Sequence, residues 1–337
     1  MIRKSGDLVR GVTCAARVPL HRSMRVLVTG GAGFIGGNLC RELVSHPAVA
    51  EVVAFDDLST GSEGNLDGVG ATLVCGSILD RAAINDAVGG ADVVIHLAAR
   101  PSVPRSVADP MRSHLVNATG TMHVLEACRR DGTPIIVASS SSVYGPTKVL
   151  PKREDLPTLP QSPYAASKLA AESAVLAYGA TYGLPVLALR FFNVYGPLQS
   201  TGHAYAAVIP RFADAALRGQ PLHVQGDGRQ TRDFTFVGSV ARLLTDAAVR
   251  RVTSPTPVNL AFGTRTSLLD LIDLIRGLVG RPLEVVFDPA RPGDVRDSQA
   301  EPARLRELFP GHAPVPLADG LAETVTWYER QIASAAR

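Results

Sequence analysis

The sequence predicts an α/β fold built on a doubly wound parallel sheet, with a second and smaller α/β lobe. Three observations predict it. Short, almost continuously apolar runs recur through the first half of the chain with helical segments between them, as in parallel strands buried on both faces. A glycine-rich turn joins the first such run to a helix. In the second half, helical segments near 206–218, 239–250, 267–278 and 318–333 alternate with short strands around 222, 258 and 284.

Composition is typical of a globular protein with one large or two moderate domains. The 337 residues are 46% hydrophobic and 19% charged, with a formal net charge of +3. No apolar run reaches the roughly 18 residues of a membrane span. No cluster of basic residues with interleaved aromatic residues indicates nucleic-acid binding. We therefore expect neither a membrane nor a nucleic-acid partner.

The four cysteines are scattered along the chain without CxxC spacing. This spacing argues against a zinc site and a disulfide framework, and it favours a reducing cytoplasm. We expect no metal, and we interpret as structural or incidental Cys14, Cys40, Cys75 and Cys128.

Residues 1–23 differ from everything that follows. They carry five basic residues against one acid, and Arg17 interrupts their apolar stretch, which excludes the continuous apolar region of a signal peptide. We expect a disordered or dispensable tail that ends before Met24.

The first strand, Arg25 to Thr29, runs into a loop with glycines at 30, 31, 33 and 36, and an amphipathic segment follows. Such glycines allow a tight turn, let the backbone approach a pyrophosphate, and place an anion at a helix N-terminus. A glycine-rich turn without function is the alternative, but the strand before the loop and the helix after it favour dinucleotide binding.

The second strand, Val52 to Phe55, ends in Asp56, which lies 20 residues after Gly36. An acid there accepts a hydrogen bond from the adenosine ribose 2′-hydroxyl and repels a 2′-phosphate. No arginine follows closely, so the sequence predicts NAD rather than NADP.

Further apolar strands cover residues 72–75, 92–95 and 134–138. Because ligands bind beyond the carboxyl ends of parallel strands, the residues after each strand are candidates for a site. For His96 we expect local hydrogen bonding rather than catalysis. The run Ser139 to Ser142 places hydroxyls at the same edge of the sheet.

Tyr164 and Lys168 stand four residues apart at the start of an Ala-rich helical segment. Positions i and i+4 share a helix face, so the phenol and the ammonium can be directed at one point. In isolation this spacing is common on helices, and its meaning depends on the motifs around it.

Taken together, these motifs resemble the extended short-chain dehydrogenase/reductase family. The resemblance rests on the glycine loop after Thr29, Asp56 with Ser59-Thr60-Gly61, His96-Leu-Ala-Ala99, Asn117, Ser140-x-x-x-Tyr144-Gly145 and Tyr164-x-x-x-Lys168. Later stretches, at 190–197, 226–234 and 291–294, look like its nucleotide-sugar branch. The similarity covers about residues 24 to 330. It implies an NAD-binding Rossmann domain over 24–190 and a mainly nucleotide-sugar-binding lobe over 191–337, and the chain may cross between the two.

The resemblance also implies which residues form the site. The catalytic residues are Tyr164, Lys168 and Ser140. NAD is held by Gly30, Gly33, Phe34, Ile35, Gly36, Asp56, Asp57, Ser59, Thr60, Gly61, Ser77, Ile78, Leu97, Ala98, Ala99, Asn117, Ser139, Tyr164 and Lys168. The nucleotide sugar is held by Ser140, Ser142, Asn193, Val208, Arg232, Arg291 and Ser298. Ser77 and Ser239 depart from family aspartates.

The residues after Ser140 bear on the reaction. Sugar 4,6-dehydratases of this branch carry an Asp-Glu pair there as acid and base. This chain has Ser141 and Ser142, so we expect 4-epimerisation of a UDP-hexose. Tyr164, as phenolate, takes the O4 proton while C4 gives hydride to the nicotinamide, and the hydride returns to the other face of a 4-keto sugar. Ionising a tyrosine at pH 7 costs on the order of 4 kcal/mol, which the positive charges of Lys168 and the nicotinamide are expected to supply.

Ser298 occupies the position of a bulky tyrosine in UDP-glucose-restricted epimerases. A small residue there permits N-acetylated sugars such as UDP-GlcNAc.

Other readings stay open. A uronate 4-epimerase or a decarboxylase would use Tyr164 on a carboxylate-bearing sugar near a cation such as Arg105. A dehydratase and a net reductase are further alternatives, although Asp56 argues against the NADPH that a reductase would consume. A non-catalytic nucleotide sensor would usually lack Tyr164 and Lys168. The resemblance also implies a homodimer through helices near 109–130 and 163–182.

Overall fold

The computed structural model describes residues 24–201, 207–290 and 296–335. The predicted tail at 1–23 and the predicted substrate residue Arg291 lie outside these ranges.

Within the described residues, seven parallel strands form the central sheet in the order β11-β6-β5-β4-β1-β2-β3. The doubly wound α/β class predicted from the sequence is thereby confirmed. The strands of this sheet are β1 Met24–Thr29, β2 Val49–Asp56, β3 Thr72–Cys75, β4 Val93–His96, β5 Ile135–Ser140, β6 Val186–Phe191 and β11 Val258–Leu260.

Strand β1 shows why these runs are almost continuously apolar. Val26 and Val28 are fully buried on one face of the sheet, and Leu27 is fully buried on the other. Helices cover both faces of the sheet, so the side chains on neither face contact water. A polar residue at any of these positions would lose its hydration.

The helices are distributed over the two faces of the sheet and over the second lobe. Short 3₁₀ turns lie at Glu63–Leu66 and Ser141–Tyr144, and a π-helical segment lies at Leu115–Gly120. The α-helices are α1 Phe34–Val44, α2 Arg81–Val88, α3 Val103–Ala108, α4 Pro110–His114, α5 Thr121–Asp131, α6 Pro163–Tyr182, α7 Val208–Arg218, α8 Val237–Val249, α9 Leu268–Val279, α10 Ala303–Leu308 and α11 Leu317–Ala335.

The second lobe has its own apolar core, to which α7, α9 and α11 contribute. Small strand pairs accompany it: β8 Leu222–Gln225 with β13 Val285–Asp288, β7 Asn193–Tyr195 with β10 Phe234–Phe236, and β9 Thr231–Arg232 with β12 Thr266–Ser267.

Two elements that the sequence pattern assigned to the smaller lobe pack elsewhere. Strand β11 pairs in parallel with β6 at the edge of the central sheet. Helix α8 places Leu243 and Leu244 in the same core as Leu39 and Leu43 of α1. The chain therefore returns to the large lobe after residue 236. There α8 adds apolar side chains to the core that α1 forms on one face of the central sheet.

In the described parts of the chain, no helix is both long and apolar enough to cross a membrane.

Candidate active site

The central sheet changes its winding direction between β1 and β4, which are neighbours in the sheet. In such sheets a crevice opens at the carboxyl ends of these strands, where the connecting loops part to opposite faces. A cavity of about 340 Å³ lies at this position, lined by the loop after β1, the loop after β4 and the end of β5.

The glycine loop leaves no space for side chains. Gly30 has φ +71°, and a Cβ there would lie 2.7 Å from the backbone nitrogen of Ala98. A Cβ at Gly36 would overlap the carbonyl oxygen of Gly30. The loop therefore presents bare backbone at the N-terminus of α1, as an anionic diphosphate requires.

Asp56 ties the glycine loop to β2. Its carboxylate accepts hydrogen bonds from the backbone N–H of Ala32 (3.0 Å) and of Leu58 (2.9 Å). Burial raises the pKa of Asp56, and these two hydrogen bonds oppose the rise. The side chain lines the cavity at the carboxyl end of β2, where an oxygen can accept from a ribose hydroxyl.

Most of the residues predicted to hold the cofactor border this cavity. They are Gly30, Gly33, Phe34, Ile35, Gly36, Asp56, Asp57, Ser59, Thr60, Ile78, Leu97, Ala98, Ala99, Ser139, Tyr164 and Lys168.

Three predicted cofactor residues lie behind the wall instead. Gly61 packs so closely on the glycine loop that a Cβ would lie 2.7 Å from the carbonyl oxygen of Ala32. The Ser77 hydroxyl accepts from the N–H of Leu79 within a turn. Asn117 is buried in the π-helical segment, and its amide bonds the backbone of Arg100 on both sides, at 2.7 and 3.2 Å. These residues shape the walls of the cavity.

The reacting end of the site is built by α6 and the end of β5. Ser162 caps α6 by accepting from the N–H of Ala165, and Pro163 takes the first helical position. This start places Tyr164 and Lys168 in the first two turns, and both line the cavity next to Ser140. The predicted catalytic residues are thus brought together.

Hydrogen bonds orient the Ser140 hydroxyl. Its oxygen accepts from the N–H of Ser142 (3.2 Å) and from the Ser142 hydroxyl (2.9 Å). With two bonds accepted, the Ser140 proton is left to donate, and Tyr164 is its partner. The predicted substrate residue Ser142 lines neither cavity, and these two bonds to Ser140 connect it to the site.

Burial favours the uncharged forms of both Tyr164 and Lys168, so it shifts their two pKa values in opposite directions. It raises the pKa of Tyr164, while the hydrogen bond from Ser140 lowers it. Burial lowers the pKa of Lys168 to about 8, and the negative charge of Glu172 opposes that change. The protein chain alone therefore keeps Tyr164 protonated, and its ionisation requires further positive charge.

His96 makes the local hydrogen bonds that the sequence predicted. Its Nδ1 lies 2.6 Å from the Thr29 hydroxyl and its Nε2 lies 3.0 Å from the Thr121 hydroxyl. Thr121 donates its own proton to the carbonyl of Asn117, so Nε2 carries the ring proton and Nδ1 accepts from Thr29. Burial, with the charge of Lys168, lowers the pKa of His96 to about 3, which keeps the ring neutral.

A second cavity of about 270 Å³ adjoins the first on the side of the smaller lobe. It contains three predicted substrate residues, Asn193, Val208 and Arg232. The predicted substrate residue Ser298 is buried and lines neither cavity, and its N–H donates to the carbonyl of Thr231, the residue before Arg232.

Sequence reasoning missed the residues that connect the two cavities. Val194 and Gln199 line both of them. The Gln199 amide N–H donates to the carbonyl of Val194, and its buried side-chain oxygen has no partner among the described residues. An unpaired buried acceptor at such a junction is suited to a ligand donor. The stretch after Tyr195 has no periodic pattern, so only its position in the fold identifies it.

The first cavity fits a dinucleotide in shape and in chemistry. The bare glycine backbone suits the diphosphate, and the Asp56 carboxylate suits the ribose hydroxyls. Apolar side chains such as Phe34, Ile78 and Leu97 suit the flat rings. Among the described residues no cluster of three or more His, Cys, Asp or Glu could hold a metal ion.

Known proteins are similar to this chain over nearly its whole length. The model of the NAD dependent epimerase/dehydratase family matches residues 26–261. A UDP-glucose 4-epimerase of Mycolicibacterium smegmatis is 38% identical over 91% of this chain and 99% of its own. The solved UDP-N-acetylglucosamine 4-epimerase of Methanobrevibacter ruminantium, in complex with UDP-N-acetylmuramic acid, has a TM-score of 0.86 at 34% identity and covers 92% of this chain and 99% of its own. The UDP-glucose 4-epimerase of Thermus thermophilus, solved with NAD, has a TM-score of 0.82 at 34% identity and covers 91% of this chain and 99% of its own.

Proposed function

The chain belongs to the NAD dependent epimerase/dehydratase family, so NAD is its cofactor, and we propose that it inverts C4 of a UDP-hexose through a 4-keto sugar. The observation that carries the proposal is the junction of the cavities. Tyr164, Lys168 and Ser140 stand in the wall of the cofactor cavity, and Asn193 and Arg232 stand in the wall of the cavity next to it. A nucleotide sugar held in the second cavity would present its sugar to Tyr164.

The chain's own residues then perform the proton transfers. When bound, NAD would supply the acceptor and later the donor of the C4 hydride, and a positive charge near Tyr164. Tyr164 takes the O4 proton and gives it back after the sugar has turned its other face. Ser140, whose proton is directed at Tyr164 in the free protein, would give that proton to the sugar oxygen on which charge develops, while Ser142 holds its hydroxyl in place. Arg232 supports the diphosphate at the far end.

Two features favour epimerisation over dehydration. Ser141 and Ser142 follow Ser140 in a short 3₁₀ turn, so no acid and base pair stands there. Among the described residues that line the first cavity, the carboxylates are Asp56 and Asp57, at the end of β2. Two strands of the sheet separate β2 from β5, which places these carboxylates at the adenosine side.

We propose N-acetylhexosamines as additional substrates, because Ser298 is small and its backbone bonds that of Thr231, the residue before Arg232. The relative from Methanobrevibacter ruminantium is a UDP-N-acetylglucosamine 4-epimerase, which supports the wider substrate range.

We also propose that two copies of the chain associate through the outer faces of α3, α4 and α5. Val107 and Met111 are 64% and 67% exposed there, and Leu115 and Met122 are partly exposed beside them. Apolar side chains grouped on helices of one face are typical of an interface between subunits.

The test of the reaction is a panel of nucleotide sugars incubated with the purified protein without added cofactor. We expect NMR spectra to show UDP-glucose converted to UDP-galactose and UDP-GlcNAc converted to UDP-GalNAc. Turnover without added cofactor would also show that NAD stays bound and is regenerated. A 4-keto-6-deoxy product would indicate dehydration, loss of CO₂ from UDP-glucuronate would indicate decarboxylation, and either would contradict the proposal.

A further inference from the structure

A carboxylate lies on the same helix face as the catalytic pair. Tyr164, Lys168 and Glu172 follow one another at intervals of four residues along α6, so their side chains form one row. Lys168 is 6% exposed and Glu172 is 3% exposed. Burying a carboxylate is costly unless specific partners compensate it, so this position requires an explanation.

Glu172 is fully engaged by two elements of the central sheet. Arg190 of β6 binds it with two parallel hydrogen bonds, from Nε to Oε2 at 3.0 Å and from Nη2 to Oε1 at 2.7 Å. The Ser139 hydroxyl of β5 donates to Oε2 at 2.6 Å. The carboxylate therefore joins α6 to the two strands that end beside the reacting groups.

This arrangement determines what Ser139 can do. Ser139 donates its single hydroxyl proton to Glu172. Ser139 also lines the first cavity, and toward a ligand there its oxygen can only accept a hydrogen bond. Ser139 directly precedes Ser140, so the bond also holds the end of β5 against α6. Ser140 keeps its position opposite Tyr164 as a result.

We propose that Glu172 is a positioning residue for the Tyr164–Lys168 pair. Its carboxylate, oriented by Arg190, holds Ser139 and Ser140 against α6 and places a negative charge next to the Lys168 ammonium.

Electrostatics at Lys168 agree with this role. Burial lowers the pKa of Lys168 to about 8, and Glu172 is the group that raises it. The other ionisable groups around this pair are Tyr164 on the same helix row, His96 of β4, which is neutral because its pKa is about 3, and Arg190 of β6, which is paired with Glu172. The Tyr144 ring lies 4.7 Å from the Arg190 guanidinium, on the side of Arg190. Without the charge of Glu172, Lys168 would lose its proton at a lower pH.

A purely structural ion pair is the competing explanation. Both explanations expect the free energy of unfolding to fall when one partner is removed, because the remaining buried charge is uncompensated. They differ in the titration of Lys168, which a structural pair would leave unchanged.

The chain offers a direct way to measure that titration, since it contains only four lysines, at positions 4, 148, 152 and 168. We would label lysine with ¹³C at Cε, record NMR spectra of the NAD-loaded full chain from pH 6 to 11, and assign Lys168 from a Lys168→Arg variant. In Glu172→Gln we expect the Lys168 midpoint to fall by about one unit or more. Lys152 is an internal control, because it is also buried with a pKa of about 8, which burial and the charge of Arg232 lower.

Arg190→Met is the matched variant, because it breaks the same ion pair and keeps the carboxylate. We expect it to lower stability without lowering the Lys168 midpoint. If Glu172→Gln alone does not fold, the double variant Glu172→Gln/Arg190→Met removes both charges and should show the same downward shift. An unchanged Lys168 midpoint in the Glu172 variants, or an equal fall in Arg190→Met, would overturn the proposal.

The role of Lys168 in turnover rests on the proposed function, whereas the titration requires no substrate. If the wild type converts no nucleotide sugar, the proposed function fails and the NMR result still decides the role of Glu172. Where turnover is measurable, the alkaline loss of kcat should move to lower pH in Glu172→Gln by the same amount as the NMR midpoint, with a smaller change in KM.

Discussion

Tyr164 is the residue on which the proposed reaction depends most directly. Burial raises its pKa, and within the protein the Ser140 hydrogen bond is what opposes that rise. Under the proposed function, the positive charges of Lys168 and of bound NAD would favour the phenolate.

Tyr164→Phe removes the proposed base and little else. We expect the variant to fold and to retain NAD, while kcat falls by about 10²-fold to 10⁴-fold, the usual contribution of a positioned acid or base. Turnover is followed by NMR and bound NAD by absorbance after denaturation. Tyr178→Phe is the control on the same helix, because the Tyr178 hydroxyl bonds Glu126 away from the cavity. Near wild-type turnover in Tyr164→Phe would contradict the assignment.

Ser298→Tyr tests the proposed sugar range. Ser298 is 6% exposed, so a tyrosine ring there must displace its neighbours next to Thr231 and Arg232. We expect conversion of UDP-GlcNAc to be lost while conversion of UDP-glucose is retained. The measurement is kcat/KM for both sugars in the two proteins, and an equal loss for both would reject this position as a selective gate.

At the scale of an element, the glycine loop holds the start of α1 in close contact with the end of β1. Gly36→Ala introduces a Cβ that overlaps the Gly30 carbonyl, so α1 must move away from β1. We expect loss of bound NAD and a lower melting temperature. Gly277→Ala is the control, since Gly277 lies in α9 with no atom near its added Cβ, and it should be neutral or stabilising by up to about 1 kcal/mol. Full NAD content in Gly36→Ala would show that the loop can relax.

His96, at the end of β4, should make the free energy of unfolding depend on pH. The pKa of His96 falls from 6.5 to about 3 on folding, so between these values the unfolded chain binds one proton more than the folded chain. Stability is therefore lost as the pH falls below 6.5, by about 2 kcal/mol between pH 7 and pH 5 from this residue. Urea unfolding at both pH values should show a smaller loss for His96→Asn. The same loss in variant and wild type would contradict a neutral, buried His96.

At the scale of the whole molecule, the exposed apolar face on α3, α4 and α5 predicts self-association. A stable dimer usually buries about 1,200–2,000 Å² of surface, and Met111 stands in the middle of the candidate face. We expect light scattering to give twice the chain mass for the wild type and a single chain mass for Met111→Arg. Phe287→Arg changes a residue that is 55% exposed on β13 and should leave the dimer intact. A wild-type monomer would reject the interface.

Local features were predictable because they depend on residues close together in the chain. The glycine loop, Asp56 and the Tyr164–Lys168 spacing each lie within one element or one turn, where backbone geometry alone decides which groups can meet. The apolar pattern around residue 258 predicts a strand but not its place at the edge of the central sheet. Strand β11 is short, and its partner β6 is about 70 residues away, so nothing local specifies the pairing.

The sequence by itself determined the doubly wound class, the dinucleotide site with its preference for NAD, and the helix that carries Tyr164 and Lys168. Only the tertiary structure decided which hydroxyl orients Ser140, that Gln199 joins the two cavities, and that Glu172 connects α6 to β5 and β6. The physical reason is that these last features are hydrogen bonds and contacts between distant segments. Their energy depends on burial and orientation, which exist only after the sheet and its helices have packed.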